Sequence, residues 1–174
     1  MKVRQLDRAS LAQVATMDIS EEGSVNYRIA DGVLAASHKE HQRPVLSAEE
    51  WQANFADWLP LLEAGGVALG AFKGERLVGV AILRHDLEPG LAQLAVLYVD
   101  RRDRRTGVGS ALVQAVEDLA RSHGAVTLYV SAIPSDSAVP FYLARGFRPV
   151  DEPHPELFAL EPDDIHMSKR LESA

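Results

Sequence analysis

The sequence predicts an α/β domain built on one mixed sheet, and three observations lead there. Leu91 to Val99 is a mostly apolar run that fits a strand buried on both faces. From Val108 the apolar residues Ala111, Leu112, Ala115, Val116, Leu119 and Ala120 recur in steps of three and four, marking an amphipathic helix that Gly124 ends. Ala125 to Ala132 is again strand-like, and strand, helix, strand in this order imply a right-handed parallel crossover.

The other elements follow in chain order. Lys2 to Leu6 reads as an opening strand, and Asp7 can cap a helix carrying Leu11, Val14, Ala15 and Met17 on one face. Residues 20–46 hold Tyr27, Ile29, Val33 and Leu34, but Gly23, Gly32 and Pro44 interrupt any long period. Ser47 with Glu50 makes a capping box, so a helix starts near Ala48 and carries Trp51, Phe55, Trp58, Leu59 and Leu62. Pro60 is expected to kink it or end its first part, and Gly65-Gly66 to stop it. Val67 to Phe72 and Leu77 to Arg84, separated by Lys73-Gly74-Glu75-Arg76, read as an antiparallel hairpin, which makes the sheet mixed. After Pro134 a short helix runs from Ser135 to Gly146, with a strand from Phe147. Leu157 to Leu160 and Ile165 to Arg170 read as a further strand or a broken pair around Pro162-Asp163-Asp164.

A chain of 174 residues suffices for one core, so residues 1–174 are taken as a single domain. With 47% hydrophobic and 25% charged residues the chain is expected to fold. The lack of cysteine excludes disulfides, thiolate metal sites and a cysteine nucleophile. A net charge of −7 argues against nucleic acid as a partner. No apolar segment reaches the roughly 20 residues that span a bilayer, so no membrane association and a cytoplasmic location are expected.

The chemistry concentrates in Arg104 Arg105 Thr106 Gly107 Val108 Gly109, between the buried strand and the amphipathic helix. Two glycines one residue apart let main-chain N–H groups approach a ligand, and the helix start adds unpaired donors and a positive dipole end. Arg101, Arg102, Arg104 and Arg105 put four guanidiniums beside it, so the ligand is anionic and phosphate-like. A Walker A loop would need Lys-Ser/Thr where Ser110-Ala111 stands, and a dinucleotide fingerprint would need a small residue at Leu112.

Arg-x-x-Gly-x-Gly between strand and helix, with Phe141-Tyr142 followed after three residues by Gly146-Phe147, resembles the GCN5-related N-acetyltransferases (GNAT). The resemblance implies a mixed, mainly antiparallel central sheet with helices on both faces and acetyl-CoA at its splayed central strands. Residues 91–150 would form the acetyl-CoA-binding core, and 20–66 the variable helices on the acceptor side. Carried over by match, Leu97, Tyr98 and Val99 would bind the acetyl and pantetheine portions through the backbone. Arg104, Arg105, Thr106, Gly107, Val108, Gly109 and Ser110 would wrap the pyrophosphate. Tyr142 falls on the tyrosine that protonates the departing thiolate. Ser135 stands where many members carry an asparagine, and its hydroxyl replaces only part of that contact.

Direct transfer to a primary amine of a small molecule or peptide is the implied activity. The rival reading is a CoA-binding regulatory module without transferase activity, motivated by Gln93 and Ser135. A phenol, with a reference pKa of about 10, stays protonated at neutral pH and suits the acid role. The base stays open among His85, Asp86 and Glu88. His38 and His41 would meet on a helix for a metal, but a third ligand is missing from the pattern, so no metal is expected. Trp51, Phe55 and Trp58 are read as core rather than as an acceptor pocket. A homodimer is expected from the resemblance alone.

Overall fold

A computed structural model describes residues 1–172. Seven strands, β1 (Lys2–Gln5), β4 (Val67–Lys73), β5 (Arg76–Glu88), β6 (Leu91–Val99), β7 (Thr127–Ala132), β8 (Arg148–Pro149) and β9 (Ile165–Arg170), form one sheet. Their order is β1-β4-β5-β6-β7-β9-β8. Every neighbouring pair is antiparallel except β6 and β7, as the crossover through α3 (Val108–Ser122) requires.

The two faces of the sheet are buried by different helices. Helix α3 lies over β5 at Gly79, where a Cβ would come within 2.8 Å of Val108. Its Val108, Leu112 and Val116 pack with Val78, Leu83, Leu94 and Leu128 in the larger core. On the other face α1 (Arg8–Leu11), a 3-10 turn (Ala12–Thr16) and α2 (Ala48–Glu63) bring Leu11, Val14, Trp51 and Trp58 against Val80, Ile82 and Val96. Burial on both sides is why β5 and β6 are nearly continuous apolar runs. Among the described residues no helix is long and apolar enough to cross a membrane.

One break in this sheet positions the site. Strands β6 and β7 pair only through Leu91–Gln93 and Thr127–Tyr129, whereas β6 stays on β5 as far as Val99, opposite Gly79. Beyond Gln93 the two central strands part and leave one edge of β6 without a strand neighbour.

The stretch 20–66 departs from the expected helices. Its first half is an antiparallel hairpin, β2 (Glu21–Ala30) and β3 (Val33–Arg43), and only α2 is helical. Asp31 and Gly32 both take positive φ, 51° and 75°, the primed turn whose twist matches the flanking strands. The pairing spans its full length apart from a bulge at Gly23/Val25.

Further differences are local. Asp7 does cap the first helix, accepting from the Ser10 amide at 2.7 Å, and the Ser47–Glu50 capping box is present in both directions. Pro60 lies inside α2 without ending it, because in the last turn only one backbone donor is lost. Leu157 to Leu160 belongs to α5 (Pro155–Leu160), not to a strand. Pro155, with its preset φ, opens that helix. Helix α4 (Ala138–Leu143) is shorter than the expected 135–146.

Candidate active site

Where β6 and β7 part, a cavity of about 660 Å³ opens, with Leu97, Tyr98 and Val99 on its main-chain wall. The chain then turns tightly, and buried acids hold the turn. Asp100 accepts from the Arg102 amide at 3.0 Å and from Arg102 Nε at 3.2 Å. Asp103 is clasped by Lys73 at 2.8 Å and Arg76 at 2.7 Å, and those hydrogen bonds hold its carboxyl below the usual range.

Arg105 (φ 61°) and Gly107 (φ 88°) then take left-handed conformations that fold the loop back onto the start of α3. Gly107 is the N-cap and has no side chain to satisfy the first-turn amides, so they stay available to an anion at the cavity, which Gly107, Gly109 and Ser110 line. At Gly109 an added Cβ would stand 3.0 Å from the Phe141 ring.

The arginines of this segment divide by task. Arg104 and Arg105 line the cavity. Arg104 is half-buried and anchored to the carbonyls of Val99 at 3.4 Å and Ile19 at 3.0 Å. Arg101 instead ties down the chain around Asp18 and Ser20, and Arg102 pairs with Asp100. Thr106 and Val108 do not line the cavity. The Thr106 hydroxyl donates to the Asp103 carbonyl at 2.7 Å, and Val108 is core.

The opposite wall is built from side chains. Tyr142, on α4, is buried with its ring in the cavity wall, and burial pushes its phenol well above the ordinary value. It packs edge-on to Phe141 and Phe147, at 5.2 Å and 5.4 Å between ring centres. Ser135 is buried at the rim, where its hydroxyl accepts from the Ala138 amide at 3.2 Å and so is half used in starting α4. Sequence reasoning missed Arg145, whose guanidinium stacks on Phe141 at 3.6 Å and bonds Ser110. It also missed Arg43, Glu21, Glu22 and Asp136, which the hairpin and the loop before α4 bring to the rim.

The three base candidates are not brought to this cavity. Ala81 pairs with Leu97, and along β5 His85 lies about 13 Å and Glu88 about 23 Å farther on. His85 stacks on His123 at 3.9 Å, where burial and the second imidazole lower its pKa. Glu88 pairs with His154 at 3.1 Å, and Asp86 is exposed. Nearness in sequence to the central strand misled here, because the hairpin register carries residues 85–88 to the other end of the sheet. Trp51 and Trp58 are core, packed against the Tyr98 ring at 6.3 Å and 5.9 Å.

One further carboxyl was missed by sequence reasoning. Asp164 precedes Ile165, which pairs with Ala132 at the end of β7, so it sits at the open end of the sheet, but it does not line the cavity. It is half-buried, and no hydrogen bond or ion pair reaches its carboxylate among the described residues. Burial first, then the charges of Glu161 and Asp163, push its pKa up to about 6, with Arg43 opposing. Its charge is felt at both Tyr98 and Tyr142.

A parted pair of central strands, an amide-rich helix start with guanidiniums, and a buried phenol meet at this one cavity. The sequence model described as "Acetyltransferase (GNAT) family" matches residues 32–147, and the chain belongs to that family. No curated protein matches the sequence. Similar solved structures include nourseothricin acetyltransferase, with 16% identity over 98% of both chains and a TM-score of 0.76. A putative streptothricin acetyltransferase from Bacillus anthracis str. Ames, in complex with acetyl coenzyme A, has 16% identity over 98% of both chains and a TM-score of 0.74. An aminoglycoside 6'-N-acetyltransferase complexed with coenzyme A has 16% identity, covering 100% of this chain and 99% of its own, with a TM-score of 0.66. At such identities the likeness is one of fold.

Proposed function

We propose that this chain transfers an acetyl group directly from acetyl-CoA to a primary amine of a cationic small molecule or peptide. The observation that carries the reading is the convergence, at one cavity, of the unpaired β6 edge, the Gly107 turn with Arg104 and Arg105, and the buried Tyr142. Among the structural neighbours, one is an aminoglycoside 6'-N-acetyltransferase, whose transfer to nitrogen supports an amine acceptor for this chain too.

Acetyl-CoA supplies an activated thioester carbonyl. The Arg104–Gly109 turn holds its two linked phosphates through main-chain nitrogens and guanidinium, with Arg145 and Ser110 on the outer side. Main-chain N–H groups at the end of β6 meet the charge that develops on the carbonyl oxygen, in a fixed geometry that needs no reorganisation. Tyr142 gives its phenolic proton to the departing sulfur. Burial keeps Tyr142 protonated at neutral pH and also makes it a weaker acid, so the proton passes as the C–S bond breaks, with the phenol hydrogen-bonded to the sulfur, rather than to a free thiolate.

The nitrogen loses a proton as its bond to carbon forms, and Asp164, which lies at the open end of the sheet outside the cavity lining, is the acceptor we assign, reached through intervening water. A carboxyl with a pKa of about 6 is ionised at neutral pH yet basic enough to take it. The amine must enter neutral, its ammonium proton lost to solvent before attack; the remaining count closes when Tyr142 is reprotonated by the proton that Asp164 collected. Glu22, Glu161 and Asp163 are exposed around this end of the sheet, and with Glu21 and Asp136 in the cavity wall they offer carboxylates to a positively charged acceptor alongside the arginines of that wall.

The test is a thiol-release assay with acetyl-CoA over a panel of spermidine, a lysyl peptide and an aminoglycoside, with products weighed by mass spectrometry. Release of CoA matched one-for-one by an acetylated amine is the expected result. Tight acetyl-CoA binding with no turnover on any amine would favour the CoA-binding module.

A further inference from the structure

His41 carries the motif that the function leaves unused. On a strand, residues three apart point to opposite faces, so His38 and His41 do not meet. His38 turns instead to the Ser24 carbonyl, at 3.1 Å.

The hairpin gives His41 other neighbours. Glu21 lies on the adjacent strand, where it pairs with Arg43, and Asp136 comes from the loop before α4. His41 Nε2 stands 3.9 Å from Glu21 Oε1 and 3.7 Å from Asp136 Oδ1, and the three donor atoms lie within 4.8 Å of one another. These are too long for hydrogen bonds. Nε2 is nevertheless sealed from water and has no partner, which is costly for a buried polar atom.

The outer contacts aim the donors at one point. His41 Nδ1 faces the Lys39 carbonyl at 3.5 Å, which favours the proton on Nδ1 and leaves the Nε2 lone pair free. Glu21 is buried, and its Oε1, the oxygen that faces the imidazole, also accepts from the Ser137 hydroxyl at 2.5 Å, so this oxygen is shared and Oε2 makes no hydrogen bond among the described residues. Asp136 accepts from the Ser24 amide at 3.1 Å through Oδ2, leaving Oδ1 turned toward the imidazole. Second contacts of this kind orient metal ligands: a main-chain carbonyl on the far imidazole nitrogen, and hydrogen bonds to the carboxylates.

We propose that Glu21, His41 and Asp136 bind a divalent cation of the zinc class, with water completing the shell. One imidazole and two carboxylates suit such an ion. With metal–ligand distances of about 2.0–2.2 Å, tetrahedral ligands stand roughly 3.4 Å apart, so the observed separations need only small side-chain movement. The ion clips the β2–β3 hairpin to the loop that carries Ser135 and borders the cavity.

The experiment uses tag-free protein stripped with EDTA. Calorimetric titration with Zn²⁺ should give one ion per chain and a rise in melting temperature, and Co²⁺ should develop visible d–d absorption. His41→Ala and Asp136→Asn should each weaken Zn²⁺ binding at least tenfold and bleach the Co²⁺ bands, with circular dichroism confirming that each variant is folded. Should either variant fail to fold, Glu21→Gln is measured in its place with the same expected loss. No Zn²⁺ binding by the wild type would mean an imidazole–carboxylate contact only and would overturn the proposal. Binding that the substitutions leave unchanged would place the ion elsewhere, with the same consequence.

Discussion

The two walls of the cavity are made of different material. One wall is main chain: the unpaired edge of β6, the left-handed turn at Arg105 and Gly107, and the first turn of α3. The other is side chain, drawn from three separate segments: Tyr142 and Arg145 around α4, Glu21 and Arg43 on the hairpin, and Asp136 in the loop before α4. A main-chain wall restricts which residues can build it, because left-handed turns and close approaches favour glycine. A side-chain wall asks only that some acid, base or ring arrive at the right point from anywhere in the chain.

Substitutions should separate the walls by what they damage. The largest effect belongs to Tyr142→Phe, which removes the proton donor while keeping the ring in its packing. We expect kcat to fall about 10²–10³-fold with acetyl-CoA affinity unchanged within a factor of two, read from steady-state rates and calorimetry. Asp164→Asn should lower kcat/KM for the amine about 10²-fold and abolish the loss of rate below pH 6 that the wild type shows as Asp164 is protonated. A variant that keeps the acid limb would remove Asp164 from the chemistry.

The main-chain wall responds in binding instead. Gly107 sits at φ 88° with open space around it, so Gly107→Val meets backbone strain of about 1–2 kcal/mol rather than a clash. Acetyl-CoA should bind roughly tenfold more weakly while the rate at saturation stays near that of the wild type.

The smallest effect is one of stability. The raised pKa of Asp164 means that ionisation is disfavoured in the folded state, so its cost is full above pH 6, shrinks as the pH falls toward 4, and is gone below. Asp164→Asn should therefore stabilise the protein by about 1–2 kcal/mol at pH 8, allowing for partial solvent screening, and by nothing measurable near pH 3. Denaturant melts at the two pH values check this.

The same contrast explains which parts of the fold and site are legible in the sequence. Strand β6, the Arg104–Gly109 turn and α3 were legible because burial on two faces, a tight turn and a helical stripe each force a residue pattern. The hairpin was obscured because Ile29 and Val33 are 44% and 65% exposed, which blurs the alternation, and Gly32 looked like a break instead of half of the Asp31-Gly32 turn. Asp164 carried no signal beyond a place between Pro162 and a strand. The search for a base among His85, Asp86 and Glu88 followed chain proximity, whereas the β5–β6 register sends those residues to the far end.

Cosubstrate binding depends above all on the Gly107 turn gripping the linked phosphates of acetyl-CoA. Calorimetry of acetyl-CoA against acetyl-pantetheine, which lacks those phosphates, tests this most directly, with wild type and Gly107→Val side by side. We predict that acetyl-CoA binds the wild type about 100-fold more tightly than acetyl-pantetheine, and that the variant narrows the gap to about tenfold. Equal affinity for the two compounds, or a gap that the substitution leaves intact, would contradict it.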